Sequence, residues 1–265
     1  MSVHSSAVIA PGAVVPASCE IGPFCVIGAD VVLGERNRLI SHVVLDGCTR
    51  LGDENVIYPF TSIGVAPQDL KYHGEPTLTE IGSGNTIRES VTISRGTEKG
   101  GGITRVGSGC LLMAYVHVGH DSQVGNQCIL ANAATLAGHV TIGDFATVGA
   151  FSPVHQFCTV GRYAYIGGGT IVTQDVLPYS LTSARRENKA FGINKVGLER
   201  RGFSEERLKK LRAAFRLLLA ARLNTTDAVE RIQSMGTDET LPAETRADLV
   251  ELVDFITRSQ RGVIK

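Results

Sequence analysis

Between Ser2 and Val176 the chain repeats itself every six residues, and that period leaves few folds open. Ser2 to Pro67 divides into eleven hexads, SVHSSA through SIGVAP. Three more, EIGSGN, TIRESV and TISRGT, run from Glu80, and twelve follow from Arg105, RVGSGC through IVTQDV. In all 26 hexads the second residue is Val, Ile or Leu, and in 13 of them the third is glycine. A period of six fits neither a 3.6-residue helix nor a plainly alternating strand. It fits a short strand and a corner stacked coil upon coil, so the repeat predicts a β-solenoid, a parallel β-helix. Five of the six cysteines, Cys19, Cys25, Cys110, Cys128 and Cys158, take the sixth hexad position, which a tight interior corner explains.

The rest of the composition agrees with a packed aliphatic interior. Glycine supplies 30 of 265 residues, tryptophan is absent and aromatics are 6%. With 26 basic and 26 acidic residues the formal charge is zero, so no whole-molecule field attracts nucleic acid or an anionic membrane. The N-terminal MSVHSSAVIAPGAVV lacks a basic leader, and no stretch approaches the ~20 apolar residues that span a bilayer. The cysteines form no CxxC pair or compact metal spacing, which suits reduced packing residues in a cytoplasmic protein.

Two segments leave the frame, QDLKYHGEPTLT at 68–79 and EKGGGIT at 98–104, and are expected to protrude as loops. Such insertions often form a binding face. The first carries Gln68, Asp69, Lys71, Tyr72, His73 and Glu75; the alternative is a solvated loop. The expected division is a β-helix unit over 1–180 with those two loops, then a connector and small helical unit over 181–265. Ser204 is a plausible N-cap for EERLKKLRAAFRLLLAAR, Thr225 or Thr226 can start a second helix, and a third is expected from about Pro242 to Ser259. Arg200 to Arg222 holds eight basic residues against Glu205 and Glu206, a docking face for an acidic partner or simply a solvated helix.

The hexads resemble the hexapeptide-repeat proteins, whose β-helix is left-handed and three-sided, which implies three hexads per coil. Four of the seven histidines fall between positions 117 and 155, in HVGHDS, TLAGHV and PVHQFC. At three hexads per coil, His120, Gly138 and Gln156 form one vertical stack, and Asp121 lies under His139. Histidine is suited to taking a proton from a hydroxyl near neutral pH, and an adjacent carboxylate can hold its tautomer. His120 as general base, Asp121 as orienter and the Gly138 N–H as oxyanion donor make a consistent acyl-transfer hypothesis. The competing readings are exterior or subunit-contact histidines, and a metal site built from His117, His120 and His139.

HVGHD, LAGHV, VHQFC, QDLKYHGEPT, RESVTISRGT and NKVGLERRGF together resemble the UDP-N-acetylglucosamine 3-O-acyltransferase family over nearly the whole length. That resemblance implies transfer of a 3-hydroxyacyl group from acyl carrier protein to the nucleotide sugar, at the start of lipid A synthesis. It implies no cofactor and no metal. His120 matches the family's base and Gly138 its oxyanion hole. Substrate contacts are implied at Asp69, Lys71, His117, His139 and Gln156, with Gln68 beside them, and Asn194, Arg200 and Arg201 near the nucleotide. The family's homotrimers place sites in the clefts between prisms, and the acidic carrier protein becomes the partner for the basic segment. Gly168 matches the acyl-length limiter and, lacking a side chain, implies a long chain. Val196 and Ser94 depart from the family, standing where an acid and a histidine are common. The alternatives are the N-acyltransferase of the same pathway, a metal-dependent enzyme like the γ-type carbonic anhydrases, and a non-catalytic trimeric scaffold.

Overall fold

The structure, a computed structural model, describes residues 2–185, 187–219 and 223–264. The hexads wind into a left-handed parallel β-helix with three sheets of 11, 8 and 7 strands. Each strand pairs with the one a coil earlier, as in the ladder Val118, Leu136, Val154. The step is three hexads until Leu51 pairs with Ile81 and Ile81 with Val106, where the two insertions lengthen it. Second-position side chains point inward and form one continuous core, from Ile21 through Ile93 and Leu136 to Val172. The five sixth-position cysteines are buried in the same interior.

The corners explain the hexad further. Fifteen of the sixteen described non-glycine residues with positive φ stand at the fifth hexad position, from Phe24 to Tyr163. A left-handed conformation costs an L-residue roughly 1–2 kcal/mol. It is offset because the N–H there turns along the coil axis, as when Ala133 N–H donates to Ala114 O at 3.0 Å and Phe145 N–H to Asn126 O at 2.8 Å.

Fifth residues therefore stack into three edges. Phe24, His42, Phe60, Tyr115 and Phe151 mark an aromatic edge, with rings 4.9 and 5.0 Å apart along Phe24, His42 and Phe60. Asp121, His139 and Phe157 mark a second edge. Phe145 and Tyr163 mark a third, continued by Tyr179. Both insertions leave from the second edge, because the hexads before them, Ser62–Pro67 and Thr92–Thr97, lie in the same sheet as the hexad holding His120.

Each insertion is shorter than its break in the repeat. Leu78 and Thr79 already belong to the strand Leu78–Ile81, and Ile103 and Thr104 to Ile103–Val106. Both strands extend back to pair with each other, and the first also pairs with Cys48–Leu51. Backbone pairing with the neighbouring coil overrides the interrupted side-chain pattern there.

The segment after Val176 is more ordered than a connector. Strands Ser180–Arg185 and Glu187–Ile193 form an antiparallel pair that extends the 11-stranded sheet. Among the described residues four helices follow: α1 (Lys195–Arg200), α2 (Glu205–Leu219), α3 (Thr225–Gly236) and α4 (Ala243–Arg258). Ser204 Oγ accepts from Arg207 N–H at the start of α2. α3 starts at Thr225, as expected, and is capped by Asn224, whose Oδ1 accepts from Asp227 N–H at 2.8 Å. Leu208, Leu211, Phe215, Ile232 and Leu249 form a second core with Leu177 and Tyr179. Residues 259–264 then return to the solenoid: Asp175 N–H donates to Gly262 O, Ile264 N–H donates to Asp175 O, and Ile264 closes the end of the first core.

Candidate active site

His120 and Asp121 form the corner on the second edge, just after the strand His117–Val118. His120 Nδ1–H donates to Asp121 Oδ2 at 2.8 Å, which fixes the tautomer because an ionised carboxylate can only accept. The other ring nitrogen is thereby left unprotonated, with a free lone pair. It faces Gly138 one coil on, where a Cβ would stand 2.7 Å from His120 Nε2 and 2.6 Å from Cε1. Only glycine leaves room for the ring at that position. Among the described residues the Gly138 N–H makes no hydrogen bond, while its neighbours Ala137 and His139 donate to Val154 O and His120 O.

Asp121 is held on every side. Its carboxylate is fully buried. Oδ1 accepts from Thr97 N–H at 2.8 Å, Oδ2 accepts from Thr97 Oγ1 at 2.6 Å, and the Asp121 N–H donates to Thr104 Oγ1 at 2.8 Å. The repeat pattern pointed to neither threonine. The signal that could have found them is the phase of the insertions, which puts the flanks of the second one beside the hexad of Asp121.

His139 stands above the pair, its ring 5.0 Å from that of His120 and edge-on to it, and stacked at 4.5 Å on Phe157. Burial holds His139 below the usual histidine range, with Asp121 pulling the other way. His117, at the start of the strand His117–Val118 that precedes the His120 turn, is hydrogen-bonded through Nδ1 to Thr92 Oγ1 at 2.7 Å; burial and then the neighbouring His120 lower its pKa. A cavity of about 380 Å³ opens beside His139, lined by Asp69, Lys71, Tyr72 and Glu75 of the first insertion and by Lys99 and Gly100 of the second, with Thr97 just before it. The structure thus brings Asp69, Lys71, His120, Asp121, Gly138 and His139 to one edge.

Gln68 is exposed just outside that cavity. Gln156 is exposed one coil beyond Gly138, and Arg261 of the returning tail donates to its carbonyl at 2.8 Å. Asn194, Arg200 and Arg201 lie apart, in a cavity of about 550 Å³ on the third edge with Phe145, Tyr163, Tyr165 and Val196. Arg201 lies over the Phe145 ring at 4.4 Å. Asn194 caps α1, accepting from Gly197 N–H, and its amide donates to Tyr163 O. Val196 is exposed in the lining, so the acid common at that place is missing from this cavity, and Ser94 is buried. Gly168 is exposed, and a Cβ there would approach Ala150 O to 3.2 Å.

The basic segment is smaller than its charge count. Arg207 pairs with Asp248 at 2.8 Å and with Glu244, and Arg212 pairs with Glu205. Arg200, Arg201, Lys209 and Arg216 remain exposed, and Arg222 lies outside the described residues. Among the described residues the one grouping with metal-ligand character is His120, Asp121 and His139, whose donor atoms lie within 4.8 Å of one another. Both oxygens of that aspartate already accept hydrogen bonds from Thr97. No helix among the described residues is long and apolar enough to cross a membrane.

A hexad β-helix with an imidazole, a buried carboxylate and an open backbone N–H on one edge defines a hexapeptide transferase, and residues 103–138 match the family described as bacterial transferase hexapeptide (six repeats). The chain belongs to the UDP-N-acetylglucosamine O-acyltransferase family. Residues 175–264 match its domain 2. The chain is 43% identical over 263 residues, 99% of each chain, to an acyl-(acyl-carrier-protein)–UDP-N-acetylglucosamine O-acyltransferase of Thermodesulfovibrio yellowstonii. It is also similar to the UDP-N-acetylglucosamine acyltransferase structure from Francisella novicida (40% identity, TM-score 0.93, covering 99% of this chain and 93% of that one). The O-acyltransferase from Moraxella catarrhalis RH4 is 39% identical with a TM-score of 0.93, and both chains are covered in full.

Proposed function

We propose that this chain transfers a 3-hydroxyacyl group from acyl carrier protein to the 3-hydroxyl of UDP-N-acetylglucosamine, the first step of lipid A synthesis. The observation that carries this is the His120 and Asp121 pair facing Gly138, in a chain of this family. His120 Nε2 takes the proton of the sugar hydroxyl as its oxygen attacks the thioester carbonyl. The Gly138 N–H donates to the developing oxyanion, and collapse expels the carrier thiolate, which recovers a proton from His120. Asp121 holds the tautomer and stabilises the imidazolium while it exists. Neither cofactor nor metal enters these steps.

Asp69, Lys71, His117, His139 and Gln156, with Gln68 at the rim, are assigned to the sugar and acyl groups. Arg200 and Arg201, in a cavity shaped by Asn194, are assigned to the diphosphate, for which two guanidinium groups suit the charge. That cavity and the His120 edge lie on different sides of one prism. A homotrimer with a site between adjacent copies supplies both groups to one substrate. The exposed cations of α1 and α2 suit an acidic carrier protein. The open surface at Gly168 favours a long acyl chain, and the free cysteines suit the cytoplasm.

Acyl transfer from 3-hydroxyacyl carrier proteins of several chain lengths, with wild type and His120→Ala compared, tests this reading. Long-chain transfer that collapses in the mutant supports it. Failure with every donor, but transfer to an amine acceptor, would replace it with N-acylation.

A further inference from the structure

Three residues of the second insertion and its flanks, Thr97, Gly100 and Thr104, converge on Asp121. We infer that Thr97 is a positioning residue, which acts through Asp121 to hold His120 in its working tautomer. This rests on the acyl-transfer reading above and adds the group that sets the orienter.

Thr97 occupies the N-cap position of the short 3-10 turn Glu98–Gly100, with extended φ of −120° and ψ of 150°. Threonine at such a position ordinarily turns its oxygen to the N–H groups of the first turn. Here the hydroxyl makes no capping bond and donates instead to Asp121 Oδ2 at 2.6 Å, while the Thr97 N–H donates to Oδ1 at 2.8 Å. Oδ2 is the same atom that receives His120 Nδ1–H. With both threonine donors in place the carboxylate has one rotation available, and that rotation aims Oδ2 at the imidazole.

The surrounding backbone is built to keep Thr97 there. Gly100 N–H and Gly102 N–H both donate to Thr97 O, at 3.0 and 2.8 Å. Gly102 O in turn accepts from Leu78 N–H, which ties the turn to the neighbouring coil. A Cβ on Gly100 would overlap the Asp121 carboxyl, and one on Gly96 would overlap the backbone at Ile103. The turn closes over the carboxylate too tightly for side chains at either point. Thr104, at its far end, receives the Asp121 N–H and fixes the backbone from below. Thr97 and Asp121 are both nearly excluded from solvent, so water cannot replace the missing donor if the hydroxyl is removed.

The test compares Thr97→Val, which keeps the shape, with Thr97→Ser, which keeps the hydroxyl, in the full chain. Thr97→Val is expected to lower kcat roughly 10- to 100-fold, the scale of losing a hydrogen bond to a buried charged group. KM for the nucleotide sugar should hold, and Thr97→Ser should recover most of the rate. In a His120→Ala background Thr97→Val should cost nothing further, because the hydroxyl acts only through that ring. Multiplicative losses in the double mutant, or equal loss with serine and valine, would overturn the inference. A second readout needs no substrate: nitrogen-15 NMR of labelled histidine should show His120 as the Nδ1–H tautomer in wild type and mixed tautomers in Thr97→Val. An unchanged tautomer in the mutant would sink the role of Thr97. An absence of acyl transfer in wild type, with the tautomer shift present, would instead overturn the proposed reaction.

Discussion

The aromatic edge and the second edge share one backbone and differ in nearly everything else. Each is a column of fifth-position residues in the left-handed conformation, three hexads apart where the coil is regular. On the aromatic edge Phe24, Phe60, Tyr115 and Phe151 are all more than half exposed. On the other, Asp121 is buried beneath an insertion, His139 is half-buried, and the two loops enclose a cavity. The lesson is that the repeat builds a neutral column of positions, and a side chain is locked in one orientation where an interruption covers one of them. A corner carboxylate open to water would be free to rotate; covered by Thr97 and Gly100 it is fixed.

The difference between the two edges is greatest at His120. Replacement by alanine should lower kcat by roughly 10²- to 10⁴-fold, the usual worth of a general base, in a steady-state acyl-transfer assay with carrier-protein donors. A mutant within tenfold of wild type would end the claim that this edge does the chemistry. Across the prism, Arg201→Ala should raise KM for the nucleotide sugar about 10- to 100-fold with little change in kcat, as for a charged hydrogen bond to phosphate of ~1.5–3 kcal/mol. An effect on kcat alone would mean that the third-edge cavity does not hold the diphosphate.

Protonation gives a third test, read in stability. His117 and His139 are held below the ordinary histidine pKa of about 6.5 by burial, so the unfolded chain binds their protons first as pH falls. Stability should therefore decline as pH drops from about 6.5 towards their lower folded values, and the slope should flatten below those. Urea midpoints across that range for wild type and His117→Gln measure it, and the glutamine variant should show a shallower decline. The smallest effect is expected on the aromatic edge. Phe24→Ala removes a ring 4.9 Å from that of His42 and tilted 33° to it at an exposed corner, and should cost about 0.5–1.5 kcal/mol with no change in turnover.

Much of this was legible in the residues. The second-position aliphatics and sixth-position cysteines specified the inward face and the corner, because burial selects residue type at a fixed period. With the three-hexad coil that the resemblance implied, spacing put His120 over Gly138 and Asp121 beside His139. Less visible was the fifth position, whose left-handed backbone is shared by Phe, Arg, Asp, Gln and Ala and so leaves no signature of composition. The extension of strands into Leu78 and Ile103, the sheet continuing to Ile193, and the pairing of Arg207 with Asp248 across α2 and α4 were also hidden. Each depends on a partner distant in the chain.

The residues alone specified a solenoid and its inward face, since those follow from local period and the excluded volume of a narrow interior; which histidines share a column followed once the resemblance supplied three hexads per coil. Only the tertiary structure decided that both insertions fold down the same edge, that the hydroxyl of Thr97 turns away from its own helical turn to reach Asp121, and that Asn194 is spent on a cap while Arg200 and Arg201 face a cavity. Those choices are settled by competition among hydrogen-bond partners brought together in space, and a pattern read along the chain carries no record of which partner wins.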